Sequence, residues 1–329
     1  MSDRCTRRAL VLFPGALGDF ICFLPTLERL GRGQVLHLLA HSEFAKLLPN
    51  NIRVRSIECY EIYRLFVPQG GSEMRLREFY GAYDAVYSWT GSGQAVFIQE
   101  LQFATEGKAQ VFAFRPLQLR MHQTDYYLSC LGEPSSEMSF PTIPLQSEAV
   151  AWSARLWRQP ALSDKPVLVL APGSGAREKN WSAGSFQIVA DWWRERVGGA
   201  VVIVAGPVEE ERGDFEPLCR NCVIVRQLDL AQLAALLARS TVYLGNDSGV
   251  THLAATLRVR TIALYGPTDP LQWAPRGEKV TVISRGVECS PCPVEVMKSC
   301  LHRKCLTTLE AAEVIRKLKQ LPEVAALTT

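Results

Sequence analysis

The strongest constraint on the fold comes from residues 241–270. Thr241-Val242-Tyr243-Leu244 is a short apolar run, followed by Gly245-Asn246-Asp247-Ser248-Gly249-Val250-Thr251-His252-Leu253-Ala254-Ala255. A second run, Thr261-Ile262-Ala263-Leu264-Tyr265, ends in Gly266-Pro267-Thr268-Asp269-Pro270. This pattern predicts strand, polar turn, short helix, strand, polar turn. In parallel α/β sheets such turns lie at the carboxyl ends of strands, where ligands bind. A helix opening on Asp247-Ser248-Gly249 offers backbone N–H groups and a positive dipole end, which suits an anion such as a diphosphate. The segment therefore points to a nucleotide-type ligand.

Alternation of short strands with helices runs through the whole chain and predicts parallel sheets with helices on both faces. In the first half, strands are expected over 9–13, 34–40, 53–57, 85–89 and 110–114, with helices over 20–30, 94–103 and 124–131. A Pro/Ser-rich stretch from Gly132 to Pro144 reads as a linker. After a helix over 148–158, strands are expected over 167–171, 200–205, 223–225, 241–244, 261–265 and 280–284. The helices between them fall over 183–196, 209–219, 230–238 and 250–257. A last helix over 309–321 is expected to pack back across the domain junction. The chain's 329 residues suit two domains, drawn here as 1–160 and 161–329, with a cleft between them.

Composition narrows the function classes. A 47% hydrophobic and 21% charged chain is an ordinary globular protein with real cores. Its net charge of +3 is too mild to argue for nucleic acid, but fits an anionic substrate or a weak contact with a membrane surface. No apolar run reaches the ~20 residues that span a bilayer. The stretch behind the basic N-terminus is broken by Pro14, Gly15, Gly18 and Asp19, unlike a signal peptide. A cytoplasmic protein is expected, with its ten cysteines as reduced thiols or metal ligands.

Five groups of residues could carry chemistry. Pro14-Gly15-Ala16-Leu17-Gly18-Asp19 follows the first strand; its glycines allow a tight turn and close ligand approach. Asp19 either caps the next helix or serves as a general base. The dinucleotide fingerprint, with its third spaced glycine, is absent. Ala171-Pro172-Gly173-Ser174-Gly175-Ala176-Arg177-Glu178-Lys179-Asn180-Trp181 combines small residues, open N–H groups, the Ser174 hydroxyl and two cations, which suits phosphate. A solvated basic loop is the plainer reading. Glu209, after the second strand of the second half, could hold ribose hydroxyls, while Glu210 and Glu211 read as first-turn residues that complement a helix dipole. In the opening motif, Asp247 and Ser248 could simply cap a helix, and His252 lies one turn beyond Ser248 on the same face. Finally, Cys289, Cys292, Cys300 and Cys305 follow a C-x2-C-x7-C-x4-C spacing, with His302 between the last two. They could hold zinc or iron or form a metal-free thiol cluster.

Taken together, Leu17-Gly18-Asp19, Pro172-Gly173-Ser174 with Lys179-Asn180-Trp181, the run from Asn246 to Ala255, Tyr265-Gly266-Pro267-Thr268 and the four cysteines resemble the family 9 glycosyltransferases, the lipopolysaccharide heptosyltransferases. The resemblance implies a GT-B fold: two facing Rossmann-like, doubly wound domains with an interdomain cleft. The first would bind the acceptor, through Gly15, Gly18 and Asp19, and the second the nucleotide-sugar. It implies an inverting transfer with no cofactor required for catalysis, most simply of heptose from ADP-heptose to a lipopolysaccharide core or related glycan, close to the inner membrane surface. Asp19 matches the catalytic base, and Lys179 the cation that meets the diphosphate. Asp247 matches a contact to the donor sugar, Glu209 a carboxylate near the ribose, and His252 a histidine near the diphosphate. Ser174, Gly175, Ser248 and Gly249 complete the donor set. Phe13-Pro14 departs from members that carry a polar residue there. A GT-B sugar-nucleotide epimerase and an inactive nucleotide-sugar-binding protein are the competing readings.

Overall fold

A computed structural model describes residues 7–116, 120–132, 141–206 and 221–328. The chain divides into two compact units, Met1–Pro144 and Leu145–Thr329. The expected helix over 209–219, Glu209 itself and most of the expected linker lie outside the described residues.

The first unit is built on five parallel strands, β1 (Arg8–Leu12), β2 (Val35–Ala40), β3 (Arg53–Ser56), β4 (Ala85–Ser88) and β5 (Ala109–Val111), in the order β3-β2-β1-β4-β5. From β1 the chain winds first to one side and then to the other, so the carboxyl ends of β1 and β4 form its topological switch point. The four last residues of β1, Ala9 to Leu12, are fully buried because helices cover both sheet faces, and a strand buried on both sides reads as a continuous apolar run. Phe13, where the resemblance would favour a polar residue, continues that run into an aromatic cluster: its ring stacks on Phe23 at 4.2 Å and meets Tyr127 edge-on at 5.6 Å. Between β3 and β4 the sequence patterns predict no element. The chain there forms short turns and a helix over Met74–Gly81, which buries only Leu76 and Tyr80, one turn apart.

The second unit has six parallel strands, β6 (Val167–Ala171), β7 (Ala200–Ala205), β8 (Val223–Arg226), β9 (Val242–Asn246), β10 (Arg260–Tyr265) and β11 (Val280–Ser284), ordered β11-β10-β9-β6-β7-β8. This is the doubly wound order with its switch point between β6 and β9, so the loops leaving those two strands lie side by side. The expected helix over 183–196 is α-helical over Ala183–Trp192, capped by Ser182, and widens into a π-type turn over Trp193–Val197.

Two boundaries differ from the sequence reading. The helix Ser147–Trp157 belongs to the second unit, where Ala149 packs with Ala231 and Ala235, and Ser153 Oγ donates to the Ala235 carbonyl at 2.9 Å. The C-terminal segment forms two helices, Ala311–Lys319 and Pro322–Thr328, whose Val314, Leu318 and Val324 complete the second unit's own core with Trp193 and Phe186. An ion pair ties the second of these helices to β10: Arg260 reaches both carboxylate oxygens of Glu323 at 3.0–3.3 Å. Burial alone would raise the Glu323 carboxyl, but the guanidinium and further hydrogen bonding outweigh it and hold the group below its ordinary value. A depressed folded-state value means stability that is present at neutral pH and lost as pH falls through that value. Arg260→Gln should therefore lower the thermal midpoint by about 2 °C near pH 7 and by much less near pH 3, since half-exposed pairs contribute up to about 1 kcal/mol. Paired melts of the variant and the parent at the two pH values check it.

Candidate functional site

In the second unit the site is built at the switch point. β6 delivers the loop Pro172–Trp181, β9 delivers Asp247 and Ser248, and the turn after β10 delivers Thr268. Lys179 Nζ lies 2.8 Å from Asp247 Oδ2, and Thr268 Oγ1 donates to the same oxygen at 2.5 Å. The Asp247 side chain is only 7% exposed, whereas Lys179 keeps 25% of its side chain in solvent. A buried carboxylate held on one oxygen by an ammonium and a hydroxyl is a fixed anion beside an accessible cation. Ser174 is buried, with its hydroxyl 2.7 Å from the Ala176 carbonyl and 2.6 Å from Asn180 Oδ1, so it folds the loop onto itself. Gly175 is exposed, and an added Cβ there would meet no atom within 4 Å, so the space beside its backbone stays open. Arg177 is exposed, while its carbonyl accepts from Arg303 at 3.2 Å.

The polar side chains of the opening motif do not cap the helix that follows them. Ser248 occupies the N-cap position of the helix Gly249–Thr256, yet its side chain caps no helical N–H; the hydroxyl lies 3.1 Å from Thr251 Oγ1. Asp247 is likewise committed to Lys179 and Thr268. The start of this helix, at Gly249, is thus not capped by either side chain, which leaves the positive end of the dipole for an outside acceptor. His252 is buried one turn further on.

The switch point of the first unit holds Asp19. The helix Leu17–Leu30 has Ala16 at its N-cap, so Asp19 sits in the first turn and is not the capping residue, which corrects one of the two sequence readings. The helix begins earlier than its apolar stripe because Leu17 and Gly18 already take helical geometry. Asp19 Oδ1 instead takes the Arg115 guanidinium at 2.5 Å. Arg115, carried just beyond β5, also lies over the Phe114 ring at 4.3 Å. Sequence reasoning does not find Arg115, since a lone arginine 96 residues from its partner carries no local signal. Gly15 is required here: a Cβ would come within 2.7 Å of Asp19 Cβ and 2.6 Å of the Phe13 ring. The buried Tyr127 phenol is pushed up by burial and further by the negative charge on Asp19.

The four cysteines border one small cavity with His302. Among the described residues, no three His, Cys, Asp or Glu side chains stand together as metal ligands do. Cys289 is exposed, Cys292 and Cys300 are half-buried and Cys305 is buried. Burial pushes the Cys292 and Cys305 thiols up, and the neighbouring sulfurs add to it. Both should therefore alkylate slowly near pH 7 and faster near pH 9, with Cys305 last, because the thiolate is the nucleophile. Peptide mapping after timed iodoacetamide labelling would show this order. Ser290 Oγ and the Cys292 N–H donate to the Gly266 and Pro267 carbonyls at 2.6 and 2.8 Å, tying this loop to the turn that carries Thr268.

Residues 118–302 match the family model of glycosyltransferase family 9 (heptosyltransferase). The chain belongs to this family. It is 29% identical over 167 residues to the lipooligosaccharide heptosyltransferase 2 of Campylobacter jejuni, a match covering 48% of this chain and 51% of that protein. The chain thus spans about half the length of the curated relatives it matches. Among solved structures it superposes on a family 9 glycosyl transferase from Veillonella parvula with TM-score 0.75 at 21% identity, over 96% of this chain and 97% of that one. The ADP-heptose lps heptosyltransferase II of E. coli gives TM-score 0.70 at 19% identity, over 98% of both chains. These likenesses show the GT-B fold, consistent with the two doubly wound units. Among the described residues, no helix is long and apolar enough to cross a membrane.

Proposed function

We propose that this family 9 member is an inverting glycosyltransferase that moves heptose from ADP-heptose to a hydroxyl of a lipopolysaccharide core or related glycan. The observation that carries the reading is the Lys179–Asp247–Thr268 cluster beside an uncapped helix start at the switch point of the second unit. Cation, hydroxyl and N–H groups there suit a sugar diphosphate. In this reading Lys179 and the Gly249 end of the helix meet the charge that develops on the leaving diphosphate, with Ser174 shaping the loop that carries Lys179. Asp247 and Ser248 orient the sugar, with Gly175 giving the donor room and His252 lying near the diphosphate. Asp19, with Gly15 and Gly18 in its loop, takes the proton from the acceptor hydroxyl. That oxygen forms its bond to the anomeric carbon as the bond to phosphate breaks and ADP leaves with the electron pair. No step is assigned to a metal. In this reading the reaction runs on the cytoplasmic side, with peripheral contact to the inner membrane.

The test is ADP release from ADP-heptose by the purified protein, with and without deacylated core oligosaccharide. Release that requires the acceptor supports the proposal. Acceptor-independent epimerisation would indicate an epimerase, and tight donor binding with no turnover over a broad acceptor panel would indicate an inactive binding protein.

A further inference from the structure

We infer that Asn246 is a positioning residue that sets Lys179 against Asp247 by latching both ends of the Lys179 loop with one side chain. The inference rests on the donor-site reading above. Asn246 is the last residue of β9 and has no exposed surface. Its Nδ2 donates to the Pro172 carbonyl at 2.6 Å, and its Oδ1 accepts from the Trp181 backbone N–H at 3.0 Å. Pro172 and Trp181 bracket the loop that carries Ser174, Gly175 and Lys179. The next residue in the chain is Asp247, the partner of Lys179. One planar amide, with donors at one end and an acceptor at the other, thus joins the exit of β6 to the exit of β9.

The loop's own hydrogen bonds, from the Ser174 hydroxyl to the Ala176 carbonyl and Asn180 Oδ1, fold it onto itself but do not join it to β9. Gly173, Gly175 and Ala176 have no side-chain polar group to do so, and the Asn246 amide makes that join. The Asn246 backbone is itself fixed: its carbonyl accepts from Thr251 Oγ1 at 2.5 Å, and that hydroxyl also meets the Tyr243 phenol at 2.9 Å. Tyr243 and Gly245 close the packing, since a Cβ at Gly245 would come within 2.2 Å of the phenol oxygen. The latch is therefore anchored on a rigid strand end, and the loop is the part free to respond when it is cut. Asn246→Asp would lose the donor, and an aliphatic replacement would lose both contacts.

A merely stabilising asparagine would act independently of Lys179; a positioning one acts through it. The experiment is a double-mutant cycle on the full chain, reading ADP-heptose affinity by calorimetry for the parent, Asn246→Ala, Lys179→Ala and the double variant. Asn246→Ala should weaken donor binding by about tenfold in the parent and by less than about twofold in the Lys179→Ala background. Equal losses in both backgrounds overturn the inference. If Asn246→Ala does not fold, Asn246→Ser carries the same cycle, and loss of the fold in the serine variant as well also overturns it. In the folded variant, amide exchange should quicken across 172–181 while the rest of the second unit is unchanged; unchanged exchange in the loop counts against the latch. A parent protein that fails to bind ADP-heptose at all would instead defeat the donor-site proposal.

Discussion

Asp19→Ala is expected to lower turnover by about a thousandfold while leaving ADP-heptose affinity within about twofold of the parent. The size follows from the range of general-base contributions, roughly 10²–10⁴. The selectivity follows from where the residues sit: Asp19 lies at the switch point of the first sheet, and the residues proposed to hold the donor all belong to the second unit. The Asp19 side chain is 13% exposed and held on one oxygen by Arg115, which leaves the other oxygen to receive a proton. Asp19→Asn is the sharper variant, because it keeps size and a hydrogen-bond acceptor for Arg115 yet cannot serve as a base. It should match the alanine variant in turnover and the parent in thermal midpoint. Arg115 loses little when its partner is neutralised, since its side chain is 42% exposed. Single-turnover rates together with calorimetric donor affinities decide the matter. Turnover within about threefold of the parent would remove Asp19 from the chemistry. Loss of donor binding would mean that the units' roles are reversed.

What is legible in the sequence follows from which signals are local. β6, β7 and the start of β9, Val242 to Leu244, are buried on both faces, so each is a continuous apolar run whose position can be read directly. The polar motifs after those strands are visible because buried parallel sheets place polar turns where ligands bind. The pairing of Lys179 with Asp247 is not visible: it exists only because β9 lies beside β6, a property of the sheet order. Arg115 escapes sequence reasoning for the same reason, and Thr268 shows as part of a motif but not as a partner of Asp247. A capping role for Asp19 suggests itself because glycine normally breaks a helix, yet Gly18 lies inside the first turn, where backbone bonding is incomplete anyway. Pro322 looks like the end of the chain's last helix but opens another one, as proline at a first helical position can. The helix Met74–Gly81 shows no period because only two of its eight residues are buried.

Lys179→Met should cost both stability and donor affinity, and a second substitution should separate the two losses. The Asp247 side chain is only 7% exposed; without the ammonium it keeps the Thr268 hydroxyl, and among the described residues no other ion pair to it is present. Removing one member of a fully buried pair costs about 3 kcal/mol; with Lys179 partly in solvent the loss is about 2 kcal/mol, which lowers the midpoint of a unit this size by about 4–8 °C. Donor affinity should fall by about 10–100-fold, the worth of a charge-assisted contact to a phosphate. Adding Asp247→Asn removes the stranded charge, so the Lys179→Met/Asp247→Asn double variant should regain most of the thermal midpoint. It should regain none of the donor affinity, because a neutral pair offers the diphosphate no cation and the sugar no carboxylate. Melting curves and calorimetry on the parent, the two single variants and the double variant read both quantities. If affinity returns with stability, the pair is only a strut between the β6 and β9 loops, and the diphosphate is held elsewhere. If stability returns alone, the pair is a site whose buried carboxylate and accessible cation are kept for the ligand they meet, at a cost to the fold that carries them.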